Sequence, residues 1–114
     1  IDHQRIFKPF LQNFTTAQII EISELQRAKS KAIKLYSSGM KQRLKLTLAV
    51  LAEAPLLLLD EPCSNLDKAA TDWYKQLIQL YAANKTLIVC SNNIKDEFEF
   101  CTRQLNVEDF KTKK

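Results

Sequence analysis

Apolar residues recur along this chain with two periods, and each period predicts its own kind of element. Thr15-x-x-Gln18 has the form of a capping box, in which a hydroxyl and an amide side chain each satisfy a backbone N–H at a helix start. Ile19, Ile22 and Leu25, with Ile20, follow on one face, which predicts a helix over about residues 16–28. Lys29 to Leu35 reads as a basic connector. Met40, Leu44, Leu48 and Leu51 fall on one stripe of a second helix, about 38–53, opened by Ser37-Ser38-Gly39 and ended by Pro55. Leu56 to Leu59 is a continuous apolar run between prolines, the pattern of a buried strand. Asp67 is placed to cap a helix of about 68–83, with Trp73, Leu77, Leu80 and Tyr81 as its buried stripe and Asn84 as its stop. Thr86 to Ser91 predicts a second buried strand. Asn92 or Asn93 then caps a short helix with Ile94, Phe98 and Cys101 on one side, and Arg103 to Val107 predicts a last, weaker strand. Residues 1–14 mix aromatic and basic side chains around Pro9 and carry no assignment, and the Lys111–Lys114 tail is expected to fray. Strand, helix, strand, helix, strand is the alternation of an α/β protein with parallel strands and crossover helices. Residues 1–35 lie outside that alternation and read as a separate helical element.

Composition narrows the chemistry. A length of 114 residues suits one compact domain, and a hydrophobic content of 46% argues against disorder. Gly39 is the one glycine. These residues therefore contain neither a G-x-x-x-x-G-K-[ST] phosphate loop nor a G-x-G-x-x-G dinucleotide turn. No apolar run approaches the ~20 residues of a membrane-spanning helix. The polar start at Ile1, rather than Met, shows no signal-peptide pattern and leads us to expect a piece of something longer, or a processed chain. Cys63, Cys90 and Cys101 are odd in number and widely spaced, the pattern of reduced thiols in the cytosol. Only His3 could join them around a metal, so no such site is expected, and His3 reads as a surface residue. Net charge is +4, and Arg27 to Lys45 holds basic residues with no acid. Such a run serves as a solvated face or as an attractor of phosphates.

Four constellations carry candidate chemistry. The helix start at Ser37-Ser38-Gly39-Met40 offers unpaired N–H groups and a partial positive charge, with Lys41 and Arg43 adding to the field. Asp60-Glu61 ends an aliphatic strand, where open α/β sheets bind ligands, and suits a Mg²⁺ ligand followed by a water-activating base. Ser64-Asn65-Leu66-Asp67 follows directly, and Cys90-Ser91-Asn92-Asn93 stands at the end of the second strand, where polar groups could reach a terminal phosphate. Each alone reads equally as an ordinary turn or helix cap.

Taken in order, these segments resemble the second half of the nucleotide-binding domain of an ABC-type (ATP-binding cassette) ATPase. Tyr36 to Met40 resembles the LSGGQ signature, Leu56 to Glu61 the Walker B segment, and Ser64 to Asp67 the D-loop, usually SALD. The likeness covers about 36–107 well and 1–35 loosely. It implies an incomplete P-loop-NTPase-type core: residues 36–114 form its C-terminal part, and 1–35 part of a helical subdomain. It further implies the ATP-hydrolysing subunit of a transporter, on the cytoplasmic face of the membrane through a transmembrane permease partner. In that family two nucleotide-binding domains, in a homo- or heterodimer, close head to tail around ATP. Ser37, Ser38, Gly39 and Met40 would then meet the γ-phosphate of ATP held by the other subunit. Asp60 would hold Mg²⁺, Glu61 would polarise the attacking water, and Asp67 would couple the two sites.

Several residues depart from the family pattern. Ser38 stands where the signature has glycine, Met40 where it has glutamine, and Cys63 where threonine is common. Asn92 occupies the position of the switch histidine and cannot carry charge or exchange a proton. Gln4 and Gln12 lack the aliphatic strand that precedes a Q-loop glutamine. With no phosphate loop among these residues, the chain alone is expected to be inactive. Two alternatives share the motifs: a non-transport ABC ATPase, and a degenerate cassette that binds without hydrolysing. A basic nucleic-acid module on Arg27 to Lys45 would need interleaved aromatics. Only Tyr36 qualifies, so no nucleic acid is expected.

Overall fold

The computed structural model describes residues 14–26 and 35–107. The assignments at His3, Gln4, Gln12, Arg27 to Lys34 and Lys111 to Lys114 lie outside the described residues. The element order is α1 (Thr16–Ser23), α2 (Ser38–Leu51), β1 (Leu56–Asp60), α3 (Lys68–Tyr81), β2 (Thr86–Cys90) and α4 (Lys95–Phe98). The two strands pair in parallel, with Leu56 opposite Thr86 and Asp60 opposite Cys90, and α3 is the crossover between them.

Helix starts follow local chemistry. Thr15 and Gln18 form the reciprocal capping box, Ser37 Oγ accepts from the Met40 N–H, and Asp67 Oδ1 accepts from the Ala70 N–H. Each cap replaces a hydrogen bond that the first turn cannot make internally, worth about 1 kcal/mol. Helix α1 stops at Ser23, short of the expected 28. Glu24 turns left-handed (φ 59°), and the chain doubles back so that Leu25 enters the core.

Two apolar clusters share α2. Leu44, Leu48 and Leu51 pack with Ile19, Leu25 and Tyr36, fixing α1 against α2. Leu46 and Val50, on another face, pack with Leu57 and Leu59 of β1 and with Trp73, Tyr74, Leu77 and Ile78 of α3. The expected stripe through Met40 describes only the first of these faces. At the far end of α2 the Lys85 ammonium donates to the Ala52 and Ala54 carbonyls at 2.5 and 2.8 Å, a cationic cap on a helix C-terminus.

Four further expectations are corrected. The stripe of α3 runs through Ala70, Trp73, Tyr74, Leu77 and Ile78, whereas Leu80 is 70% exposed and Tyr81 lies at the surface. The sheet approaches α3 one residue round from where the pattern alone points. The strands are covered on one face only: Leu57 and Leu59 are buried, while Leu56, Leu58 and Ile88 stand exposed, because no described element lies over them. Residues Arg103 to Val107 form no strand. Leu105 and Val107 are exposed, without a neighbouring strand among the described residues to supply a ladder. In α4 the buried residue is Glu97, not Ile94, which is exposed.

Candidate nucleotide-phosphate site

The carboxyl ends of β1 and β2 gather the candidate residues. Asp60 ends β1 and Glu61 follows with φ 47°, held by its N–H donating to the Cys90 carbonyl at 2.8 Å. A left-handed non-glycine residue costs roughly 1–2 kcal/mol. This one turns the chain sharply at the strand end and leaves the Glu61 side chain exposed. The carboxylates of Asp60 and Glu61 have no hydrogen-bond or ion-pair partner among the described residues. The turn closes through Ser64 N–H to the Glu61 carbonyl and Leu66 N–H to the Cys63 carbonyl, with Asn65 also left-handed at φ 64°. Ser64, Asn65 and Asp67 are exposed and Leu66 is half-buried.

Helix α2 begins beside this turn. A Cβ on Gly39 would stand 3.0 Å from the Asn65 carbonyl oxygen, so the helix start and the loop touch backbone to backbone. Gln42 Nε2 donates to the Pro62 carbonyl at 2.8 Å, a second tie. Ser37 and Ser38 are exposed; Gly39 and Met40 are half-buried. Ser37 takes up two N–H groups, its Oγ accepting from Met40 and its carbonyl from Lys41. The N–H groups of Ser38 and Gly39 have no partner among the described residues, which leaves an anion-receptive helix end.

Arg43 does not add to that field as expected. Its guanidinium stacks 4.8 Å from the centre of the Trp73 ring and lies 3.6 Å from Glu24. Trp73 Nε1 in turn donates to the Ile22 carbonyl. Arg43 is thus a clamp between α1, α2 and α3. Lys41 remains exposed.

After β2, the Ser91 hydroxyl accepts from the Ile94 N–H at 3.1 Å and closes the turn before α4, whose N-cap is Ile94 with no side-chain cap, rather than the expected Asn92 or Asn93. Asn92 is exposed, and Asn93 is left-handed at φ 61°. Sequence reasoning missed Glu97, whose carboxylate sits behind the whole assembly and accepts from Cys63 and Ser91. Its signal was an acid on the apolar side of a short helix, between Ile94 and Cys101. Burial and then the Glu97 charge push the Cys63 thiol up to about 11, so it stays protonated at neutral pH. Among the described residues no three His, Cys, Asp or Glu side chains cluster as a metal site. A lone exposed carboxylate at Asp60 nonetheless fits Mg²⁺, a hard cation that takes one or two carboxylates alongside substrate phosphates.

A parallel strand pair with a crossover helix, adjacent acids at a strand end and a serine-capped helix touching the next loop make up part of an α/β domain. Residues 7–64 match the family described as ABC transporter, and the chain belongs to that family. It is 37% identical over 99 residues to the teichoic acids export ATP-binding protein TagH of Staphylococcus haemolyticus, covering 84% of this chain and 37% of that protein. It is 34% identical over 93 residues to ABC transporter A family member 10 of Dictyostelium discoideum, covering 82% of this chain and 10% of that protein. The phosphate import ATP-binding protein PstB of Ehrlichia ruminantium is 42% identical over 69 residues, covering 60% of this chain and 27% of that protein. The chain thus spans well under half the length of these relatives.

Proposed function

We propose that this chain is the C-terminal part of an ATP-hydrolysing domain that drives transport through a separate transmembrane permease. Residues 36–114 supply the signature, Walker B, D-loop and switch segments, and 1–35 part of the helical subdomain. The observation that carries this reading is the convergence at one end of the strand pair of the Asp60 and Glu61 carboxylates with the N–H groups of Ser38 and Gly39, all four without a partner among the described residues.

Each residue has a physical task. The start of α2, from Ser37 to Met40, meets the terminal phosphate of ATP bound by a second nucleotide-binding domain, its N–H groups and dipole offsetting the charge. Asp60 would hold Mg²⁺, which when bound would supply charge neutralisation to the phosphates. Glu61, held outward by its left-handed backbone, orients and deprotonates the attacking water. Asp67, whose carboxylate also caps α3, faces the partner domain and couples the paired sites. Among the described residues no helix is long and apolar enough to cross a membrane. On this reading the domain works peripherally at the cytoplasmic face, held by its permease.

Turnover of Mg-ATP by the full-length protein tests the assignment. Glu61→Gln lowers kcat by about 10²–10⁴-fold, the usual contribution of a general base, while ATP affinity is kept. Undiminished turnover would remove Glu61 from the mechanism. Asn92 favours a second reading, a cassette that binds without hydrolysing, since an amide cannot exchange a proton at the switch position. Wild-type turnover no higher than the protein-free background selects it.

A further inference from the structure

Glu97 is 2% exposed, yet it carries a carboxylate among Tyr74, Phe100 and the half-buried Cys63. Burying such a group is costly unless every oxygen is hydrogen-bonded. Here each oxygen serves a different loop. Oε2 accepts from the Cys63 N–H at 2.8 Å, and Oε1 accepts from the Ser91 hydroxyl. The Glu97 carbonyl accepts from the Tyr74 hydroxyl at 2.8 Å, anchoring the residue to α3.

The loop after β1 cannot satisfy Cys63 by itself. The Cys63 N–H needs an acceptor, and the carbonyls of the loop are already engaged: Glu61 accepts from the Ser64 N–H, Cys63 from the Leu66 N–H and Pro62 from Gln42 Nε2. The Cys63 N–H therefore points inward with Glu97 as its acceptor. Ser91 stands in the same relation to the second loop: its oxygen accepts from Ile94 and its proton goes to Glu97. Glu61 lies two residues before Cys63, and Asn92 one residue after Ser91.

We infer that Glu97 is a positioning residue which locks the Glu61-bearing loop to the Asn92-bearing turn, so that a displacement of one is felt at the other. This rests on the proposed function for its meaning, since those two positions are the water-orienting and switch positions there. The lock itself is a property of the hydrogen bonds and needs no nucleotide. Glu97→Met fills a similar volume but leaves the Cys63 N–H without its acceptor, a destabilising change, whereas Glu97→Gln keeps an acceptor oxygen and is the milder variant. Glu97→Met would remove the side-chain link between the two loops while the Glu61–Cys90 backbone bond between the strands remains.

Residue-resolved amide exchange on the whole chain tests this, with wild type, Glu97→Met, Glu97→Gln, Ser91→Ala and the Ser91→Ala/Glu97→Met double variant. The Glu61 amide, bonded to Cys90 across the strands, serves as the internal reference for sheet opening. In Glu97→Met the Cys63 amide exchanges at least about tenfold faster relative to Glu61. Glu97→Gln, which keeps one acceptor oxygen, restores most of the protection. Ser91→Ala speeds Cys63 exchange in the wild-type background and adds nothing in Glu97→Met. Equal acceleration of Cys63 and Glu61 would mean that Glu97 only fills the core and would overturn the lock. Additive effects of the two substitutions would overturn the coupling. Because no ATP is involved, these outcomes are independent of whether the protein hydrolyses it.

Discussion

At the amino end of the strand pair, the Lys85 ammonium closes over the Ala52 and Ala54 carbonyls and the Thr86 N–H donates to the Pro55 carbonyl. Every group named there is satisfied by a neighbour. At the carboxyl end Glu61, Asn65 and Asn93 are all left-handed, and the Asp60 and Glu61 carboxylates have no partner among the described residues. The first end spends its polar groups on holding the fold. The second accepts backbone strain so as to present carboxylates and N–H groups outward. Left-handed residues often cluster at functional sites, which is consistent with the role proposed for this end.

Substitutions at the two ends sharpen this contrast. Lys85→Met removes a charged donor from two carbonyls and lowers unfolding stability by about 1.5–3 kcal/mol, measured by urea denaturation. Glu61→Gly acts in the opposite sense: it relieves the left-handed backbone and raises stability by up to about 1 kcal/mol while deleting the proposed base. A loss of stability there would break the comparison. Gly39→Ala gains none of the ~1 kcal/mol that alanine usually brings to a helix, because its Cβ meets the Asn65 carbonyl. The smallest effect is electrostatic. Hydrogen bonding to Lys75 holds the Asp96 carboxyl below its ordinary value. The stability it contributes is present above the unfolded-state value near 4 and is lost as pH falls through the lowered folded value. Asp96→Asn makes the acid limb of a stability-against-pH curve shallower.

What the sequence reveals follows the range of each interaction. The capping box at Thr15, the caps at Ser37 and Asp67, and both strands depend on residues close together in sequence, and all are legible there. The Asp60-Glu61 pair is legible because a strand end has a fixed meaning in α/β sheets. Other features depend on distant partners. Glu97 finds Cys63 across 34 residues and Trp73 finds Ile22 across 51, so neither role has a local pattern. The diversion of Arg43 onto Trp73 follows from the same cause. The tilt of α3 onto Tyr74 and Ile78 rather than Leu80 depends on where the sheet lies, which helical periodicity alone does not fix.

The chain's single tryptophan stands at the meeting point of α1, α2 and α3, under a guanidinium and donating to a carbonyl of α1. Its intrinsic fluorescence is therefore a built-in optical gauge of one junction. Undocking of α1 would expose the indole and red-shift its emission while the strand pair stays formed. The docking of α1 can thus be followed by light, without attaching any dye.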